Sequence, residues 1–368
     1  MKITVEKSAL LAALTPLARI VARKPNVPIL GNILMQAADG KLTVIGTDQD
    51  REVYTDAPAE VTIAGEVTLP CHTLFDFLRK VDSGSVSIEV EDGGGRAKVV
   101  AGRARVTLHT LPTADFPNIA ESAATSTFSM PARDLRRPIE RVAYAQSQEE
   151  TRYYLCGVHV HVADGDLAFV ATDGHRLGRS TIPVPNGAET LPPIILPSET
   201  VAELLKILDV EAEATVEVND RMARFTAGPV TIVSKLVDGT YPDYRRVIPS
   251  GHDRTLKVCP KDLLGAVERV ATITSERGSR VTLTIGEDGV GLATRSPEAG
   301  DSSDHLEAVE FEGDPIKIAF NSKYVTNLLS AIEGEVVEWR MTDPGAPVVI
   351  HDPSEIQTLR LLMPMGVQ

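Results

Sequence analysis

With 368 residues the chain is long enough for two or three domains, and 43% apolar residues with only 4% aromatics is an ordinary globular composition. No run approaches the ~20 apolar residues that span a bilayer, and Glu6 and Lys7 interrupt what would have to be a signal peptide. A net charge of −14, taken alone, argues against a phosphate-rich partner, and three scattered cysteines (Cys71, Cys156, Cys259) exclude a disulfide framework and fit a reducing cytoplasm.

In chain order, residues 2–6 alternate as a strand, and Leu10, Leu14 and Leu17 stand at i, i+4 and i+7, which predicts a helix over 8–24. A strand over 41–45 follows. Leu74, Leu78 and Val81 predict a helix over 72–81. Residues 85–90, 97–100 and 103–108 read as antiparallel strands, with a hairpin turn at Asp92-Gly93-Gly94-Gly95. Small polar residues 121–127 mark a linker. The plan then restarts. Residues 127–131 alternate, Leu135, Ile139 and Val142 predict a helix over 132–145, Asp164-Gly165-Asp166 a turn, and Val201, Leu205 and Leu208 a helix over 198–208. After a second linker at 249–252 it restarts again. Here the strand is 255–260 and the first helix, 261–273, carries Leu263, Val267 and Val270. A turn at Glu287-Asp288-Gly289 and an acidic, turn-rich loop over 298–304 precede the second helix, 322–332, with Tyr324, Leu328 and Ala331. Pro16 and Pro138 fall inside predicted helices, which should start late or kink there.

The first and second apolar trios are 64, 66 and 61 residues apart in the three rounds, so one strand-helix-strands-helix-strands plan is used three times. The implied units are 1–122, 123–251 and 252–368, each an α+β domain with two helices covering antiparallel sheets. A row of such units has unpaired strands at both ends. Pairing two chains into six units about a two-fold axis would close those edges. Charge is segregated as well. The six predicted helices hold thirteen basic against seven acidic side chains, while the strands and loops are acidic. Such a basic surface would attract a polyanion; the same bias would follow if the helices carried Lys and Arg only for solubility.

Local motifs are more specific. They are Arg152-Tyr153-Tyr154-Leu155, Ala171-Thr172-Asp173-Gly174-His175-Arg176-Leu177 and Ser234-Lys235-Leu236-Val237-Asp238-Gly239. To these add Tyr241-Pro242-Asp243-Tyr244-Arg245-Arg246-Val247, Met363-Pro364-Met365 and, near the start, Pro28-Ile29-Leu30-Gly31-Asn32 and Gly46-Thr47-Asp48. In order and spacing these closely resemble the bacterial DNA polymerase III beta subunit family, the sliding clamps, across all three repeats. The resemblance implies three clamp-type domains that form a ring as a head-to-tail homodimer around double-stranded DNA. It implies a cytoplasmic, non-catalytic processivity factor of DNA replication, with no cofactor and no metal. DNA polymerase subunits, repair proteins and a clamp loader would be its partners through short linear motifs.

The resemblance also implies sites. A partner-peptide pocket would use Leu155, Thr172, Gly174, His175, Arg176, Leu177, Pro242, Arg246, Val247, Leu361 and Met363. A neighbouring subsite would use Asn321, Tyr324, Pro347, Pro364 and Met365. Short motifs bind by placing apolar anchors in a groove, and Met and Pro make adaptable walls. Lys24, Tyr153 and Tyr154 match DNA-contacting positions, and the helix charges add Arg79, Arg136, Arg137 and Lys206. Val106 and Leu108 would face Thr272 and Ile273 of a second copy. Glu149, His72, Thr73, Ser198 and Glu199 stand where more basic or amide residues are usual, which implies weaker or redistributed DNA contacts.

Two rival readings follow from the same residues. Asp173 and His175 invite an acid-base enzyme, but neighbours on one turn rarely form a triad and no nucleophile-elbow Ser accompanies them. A clamp paralogue serving inhibitor resistance is the other. His159 and His161 share one strand face as metal ligands can, but no third ligand is near in sequence.

Overall fold

A computed structural model of the chain describes residues 1–91, 93–119, 123–274, 279–307 and 309–366. Two compact units form: Met1–Leu135 with Pro185–Pro192 and Ala202–Leu236, and Arg136–Val184 with Pro193–Val201 and Val237–Gln368. The division runs through the middle round of the repeat, because its strands join the sheets of both neighbours. Six α-helices occur among the described residues: α1 (Lys7–Ile20), α2 (Cys71–Lys80), α3 (Ala132–Ala143), α4 (Ser198–Ile207), α5 (Pro260–Ala271) and α6 (Ser322–Leu329).

The first unit holds one twelve-stranded antiparallel sheet. Its main path runs from Ala104–His109 at one edge through Lys2–Glu6 and Arg51–Ile63 to Val230–Lys235 and on to Ser126–Pro131. The long strand Arg51–Ile63 pairs at its far end with the first strand and over residues 51–55 with Val230–Lys235. That second pairing joins strands of the first round to strands of the second. Leu10, Leu14 and Leu17 of α1 are fully buried, as their spacing requires, and each contributes about 1.5–3 kcal/mol of burial. The helix approaches the sheet so closely that a Cβ on Gly46 would stand 2.8 Å from Leu17 Cδ2 and 2.9 Å from Val21 Cγ2.

The second unit holds a nine-stranded sheet and a four-stranded one. In the nine-stranded sheet Arg176–Pro183 pairs with Thr358–Leu362, placing Leu177 opposite Leu361. Helices α5 and α6 lie over a core built on Trp339 and Phe320, which meet edge to face at 5.5 Å between ring centres.

Four expectations are corrected. Helix α1 ends at Ile20, not at residue 24, because the chain turns extended at buried Val21. Arg23 and Lys24 therefore lie in the loop beyond it. Pro16 and Pro138 do not make their helices start late, since both helices begin well before them. Pro16 belongs to the buried face of α1, so packing of its ring offsets the lost backbone bond. The expected acidic loop at 298–304 is largely strand: Gly300–Leu306 forms an edge of the four-stranded sheet. Charged residues are at home on such an edge because its outer side is solvated. The buried face of α6 is Val325, Leu328 and Leu329, with Tyr324 only half-buried. The turn at Asp164-Gly165 takes the two positive φ values (55° and 87°) of a tight hairpin. Asp92 of the expected first hairpin and residues 121 and 122 of the expected linker lie outside the described residues.

Candidate functional site

The loop over residues 172–176 is the frame of the site. The Thr172 hydroxyl donates to the Arg176 carbonyl (2.7 Å) and accepts from the Gly174 N–H (3.1 Å). One Asp173 carboxylate oxygen accepts the N–H groups of His175 and Arg176 (2.9 and 3.0 Å), and the other accepts Arg176 Nε (3.1 Å). Asp173 is thus consumed in holding a turn, which leaves the acid-base reading without its carboxylate. The Arg176 guanidinium lies 4.5 Å from the centre of the Tyr324 ring and 5.7 Å from that of Tyr144. Burial raises the Tyr144 phenol above its ordinary value, with Arg360 and Arg176 opposing.

Around this frame the structure gathers most of the expected pocket. Leu177 and Leu361 are buried cross-strand neighbours in a cluster with Val170, Tyr244 and Val349. Met363 donates its N–H to the His175 carbonyl (2.8 Å), and Met365 donates to Ala319 (2.7 Å). His175 stacks against Tyr324 with ring centres 6.0 Å apart. Asn321 caps α6 by accepting the Lys323 N–H. Pro347 directly precedes Val348, the strand partner of Leu362. Pro242, Arg246 and Val247 belong to a segment anchored by buried Tyr244, and Arg246 pairs with Asp243 (3.0 Å). Val247, Met363 and Met365 expose 51%, 37% and 41% of their surface, as ligand-facing apolar side chains would. Leu155 is 4% exposed, which leaves little of its side chain free for a ligand.

Behind Tyr244 the two histidines expected to share a strand face do so, and an aromatic ring from another segment joins them. His159 and His161 stack 4.4 Å apart, and His159 stacks 4.6 Å from Tyr241. Burial lowers the His159 imidazole to about 4, with His161 adding to the effect. Among the described residues no group of three or more His, Cys, Asp or Glu is placed to hold a metal ion. The three cysteines are free thiols, and burial raises Cys71 to about 12.

The DNA candidates are dispersed. Lys24 is exposed beside Arg23, which pairs with Asp76 of α2 (3.1 Å), and Arg79 lies over Phe75 of the same helix. Arg136 pairs with Glu140 (3.0 Å) and Lys206 with Glu203 (2.8 Å), so two of the expected cations are locally compensated. Arg137 is exposed on α3, Tyr153 is 54% exposed, and Tyr153 and Tyr154 meet edge to face at 5.7 Å. Of the interface candidates, Val106 is half-buried on the edge strand, but Leu108 is only 5% exposed and already spends its surface inside its own unit. Thr272 and Ile273 follow the end of α5, with Thr272 exposed.

The frame has a twin. In the first unit the Thr47 hydroxyl donates to the Arg51 carbonyl (2.7 Å) and accepts from the Gln49 N–H (3.0 Å), while Asp48 accepts the N–H groups of Asp50 and Arg51 and pairs with the Arg51 guanidinium (2.6 Å). Lys235 donates its N–H to the Asp50 carbonyl (2.9 Å), as Met363 does to His175. The decoration differs. Asp50 forms an ion pair with Lys235 (3.1 Å), and buried Glu52, in the place of Leu177, accepts the Ile119 N–H (2.7 Å). The shared Thr-Asp-x-x-Arg spacing was the available signal.

A repeated α+β unit, joined to its neighbour by a hydrogen-bonded strand pair beside such a loop, defines a tandem clamp-type protein. Family models of the DNA polymerase III beta subunit match the chain in three parts: the N-terminal domain over residues 1–120, the central domain over 129–243 and the C-terminal domain over 245–366. The beta sliding clamp of Caulobacter vibrioides (strain NA1000 / CB15N) is 36% identical over 373 residues, covering 100% of both chains. The crystal structure of a DnaN sliding clamp from Bartonella birtlesii bound to griselimycin matches with a TM-score of 0.96 at 35% identity, again over 100% of both. That of the sliding clamp from Caulobacter crescentus matches with 0.92 at 36%, also over 100% of both. The chain belongs to the DNA polymerase III beta subunit family.

Proposed function

We propose that the chain is a non-catalytic processivity clamp of the bacterial cytoplasm. It is built of repeats 1–122, 123–251 and 252–368, and two copies close head to tail around duplex DNA. Partner proteins dock by short segments in the pocket framed by residues 172–176, with Val247, Met363 and Met365 as apolar contacts and Tyr324 and Asn321 beside them. Lys24, Arg79, Arg137, Tyr153 and Tyr154 face DNA.

One observation carries the ring. The two strands Ala104–His109 and Gly300–Leu306 are sheet edges. Arg103 and Arg105, with Arg96 and Lys98 on the adjoining strand, make the first edge basic; on the second, Glu298, Asp301 and Asp304 outnumber Arg295 of the adjoining strand, with Asp301 paired to Arg295 (3.2 Å) and Asp304 to Arg269 (2.6 Å). Open edges of opposite charge are built to pair with each other between copies. Sedimentation equilibrium tests this. A species of twice 39.6 kDa that persists on dilution is expected, together with retention on circular duplex DNA after loading and release when that DNA is cut. A stable monomer at all concentrations refutes the ring.

A further inference from the structure

The segment 149–155 touches both the pocket and the surface assigned to DNA. It forms a short 3-10 turn from Glu150 to Leu155, broken at Arg152 (φ −108°, ψ 50°). The break sends the Arg152 guanidinium toward the pocket frame: its Nη1 lies 3.0 Å from where a Cβ would stand on Gly174, at φ +90°. Glu149 holds it there through Nε (2.7 Å) and Nη2, and the Thr151 hydroxyl donates to the same carboxylate (2.8 Å). The Thr151 hydrogen bond and then Arg152 keep the Glu149 carboxyl below its ordinary value, and His175 adds to this. On the other side, Tyr154 Cβ and Tyr153 Cε2 lie 3.0 and 3.4 Å from a Cβ position on Gly239. Gly239 leads into Tyr241 and Pro242 of the opposite wall.

We propose that Arg152 is shared between the two surfaces, so that DNA and pocket ligand bind with positive coupling; this rests on the functional reading above. Without DNA, Glu149 keeps the guanidinium against Gly174, where it occupies the rim of the pocket. A phosphate beside Tyr153 competes with Glu149 for the cation, as charge-assisted hydrogen bonding favours. The guanidinium then leaves Gly174 and the rim opens. Because linkage is reciprocal, a ligand in the pocket strengthens DNA contact by the same factor.

The test is calorimetric titration of griselimycin into the full-length protein, with and without a short linear duplex at low salt, while anisotropy of a labelled duplex reports DNA binding. Wild type is expected to bind griselimycin at least about 5-fold more tightly with duplex. Arg152→Ala is expected to bind at the tighter level in both conditions, and Glu149→Gln to bind more tightly than wild type without duplex and to respond to it less. Griselimycin binding that ignores a bound duplex in wild type, or a shift that survives in Arg152→Ala, overturns the coupling and leaves the pocket reading intact. Failure of wild type to bind griselimycin or to bind duplex overturns the coupling, and failure to bind duplex overturns the DNA half of the functional reading with it.

Discussion

Acidification will weaken the second unit through His159, and the single tryptophan reports it. His159 is half-buried, stacks between His161 and Tyr241, and bonds the Ile194 carbonyl through Nδ1 (3.0 Å). Burial, reinforced by His161, lowers it from 6.5 to about 4. The folded state therefore prefers the neutral ring, while the unfolded chain takes up a proton near 6.5. Between those values the unfolded state binds more protons, so stability is full above about pH 6.5 and is lost as pH falls toward 4. At ~1.36 kcal/mol per pH unit the loss between pH 7 and pH 4.5 is about 2 kcal/mol. His161, lowered first by burial and then by Arg245 and Arg179, adds in the same direction. Trp339 is the only tryptophan of the chain and is fully buried in this unit. Denaturant unfolding followed by its fluorescence, repeated across that pH range for wild type and His159→Phe, isolates the effect. Phenylalanine keeps the stack and cannot titrate. The two stability curves should diverge by about 2 kcal/mol toward the acid end; curves that stay parallel refute the assignment.

Three further outcomes are expected. Met363→Asp, at an exposed position of the proposed pocket, should abolish capture of a short peptide with apolar anchors, read by calorimetry, while changing unfolding free energy by no more than about 0.5 kcal/mol. Gly46→Ala forces a Cβ into Leu17 and Val21, and should cost about 1–3 kcal/mol in denaturant unfolding of the first unit. Arg105→Glu should weaken self-association in sedimentation equilibrium, and Asp301→Arg in the same chain should restore it; no shift from the single variant would remove the charge argument for closure.

The apolar periodicity made the helices legible, because Leu10, Leu14, Leu17 and their counterparts must share one face to be buried. Strands Lys2–Glu6 and Ser85–Val90 could be read to the residue for the same reason, with period two. Where the pattern failed, a tertiary contact had overridden it. Pro16 sits on the buried face of its helix, the polar run from Gly300 is strand because its partner is, and Tyr324 packs at the margin of the core while its ring also meets Arg176. The pocket was reached through motif resemblance and not through periodicity, since its residues come from segments more than 180 positions apart and meet only through strand pairing. Fully buried Arg360, bonded to Glu355 at 2.7 Å, could not have been foreseen from its alternating apolar strand. The Asp50–Lys235 pair spans 185 positions and is equally invisible in sequence.

That pair bears on valence. The chain carries the same loop-and-strand frame twice, at Thr47–Arg51 and at Thr172–Arg176, and closes one of them with a carboxylate, an ammonium and a buried Glu52. If the second frame is the berth proposed above, a client that needs apolar grip would find one per chain although the backbone offers two. Copy number of bound clients would then be written into three side chains, and a closed pair of chains would carry two clients, not four.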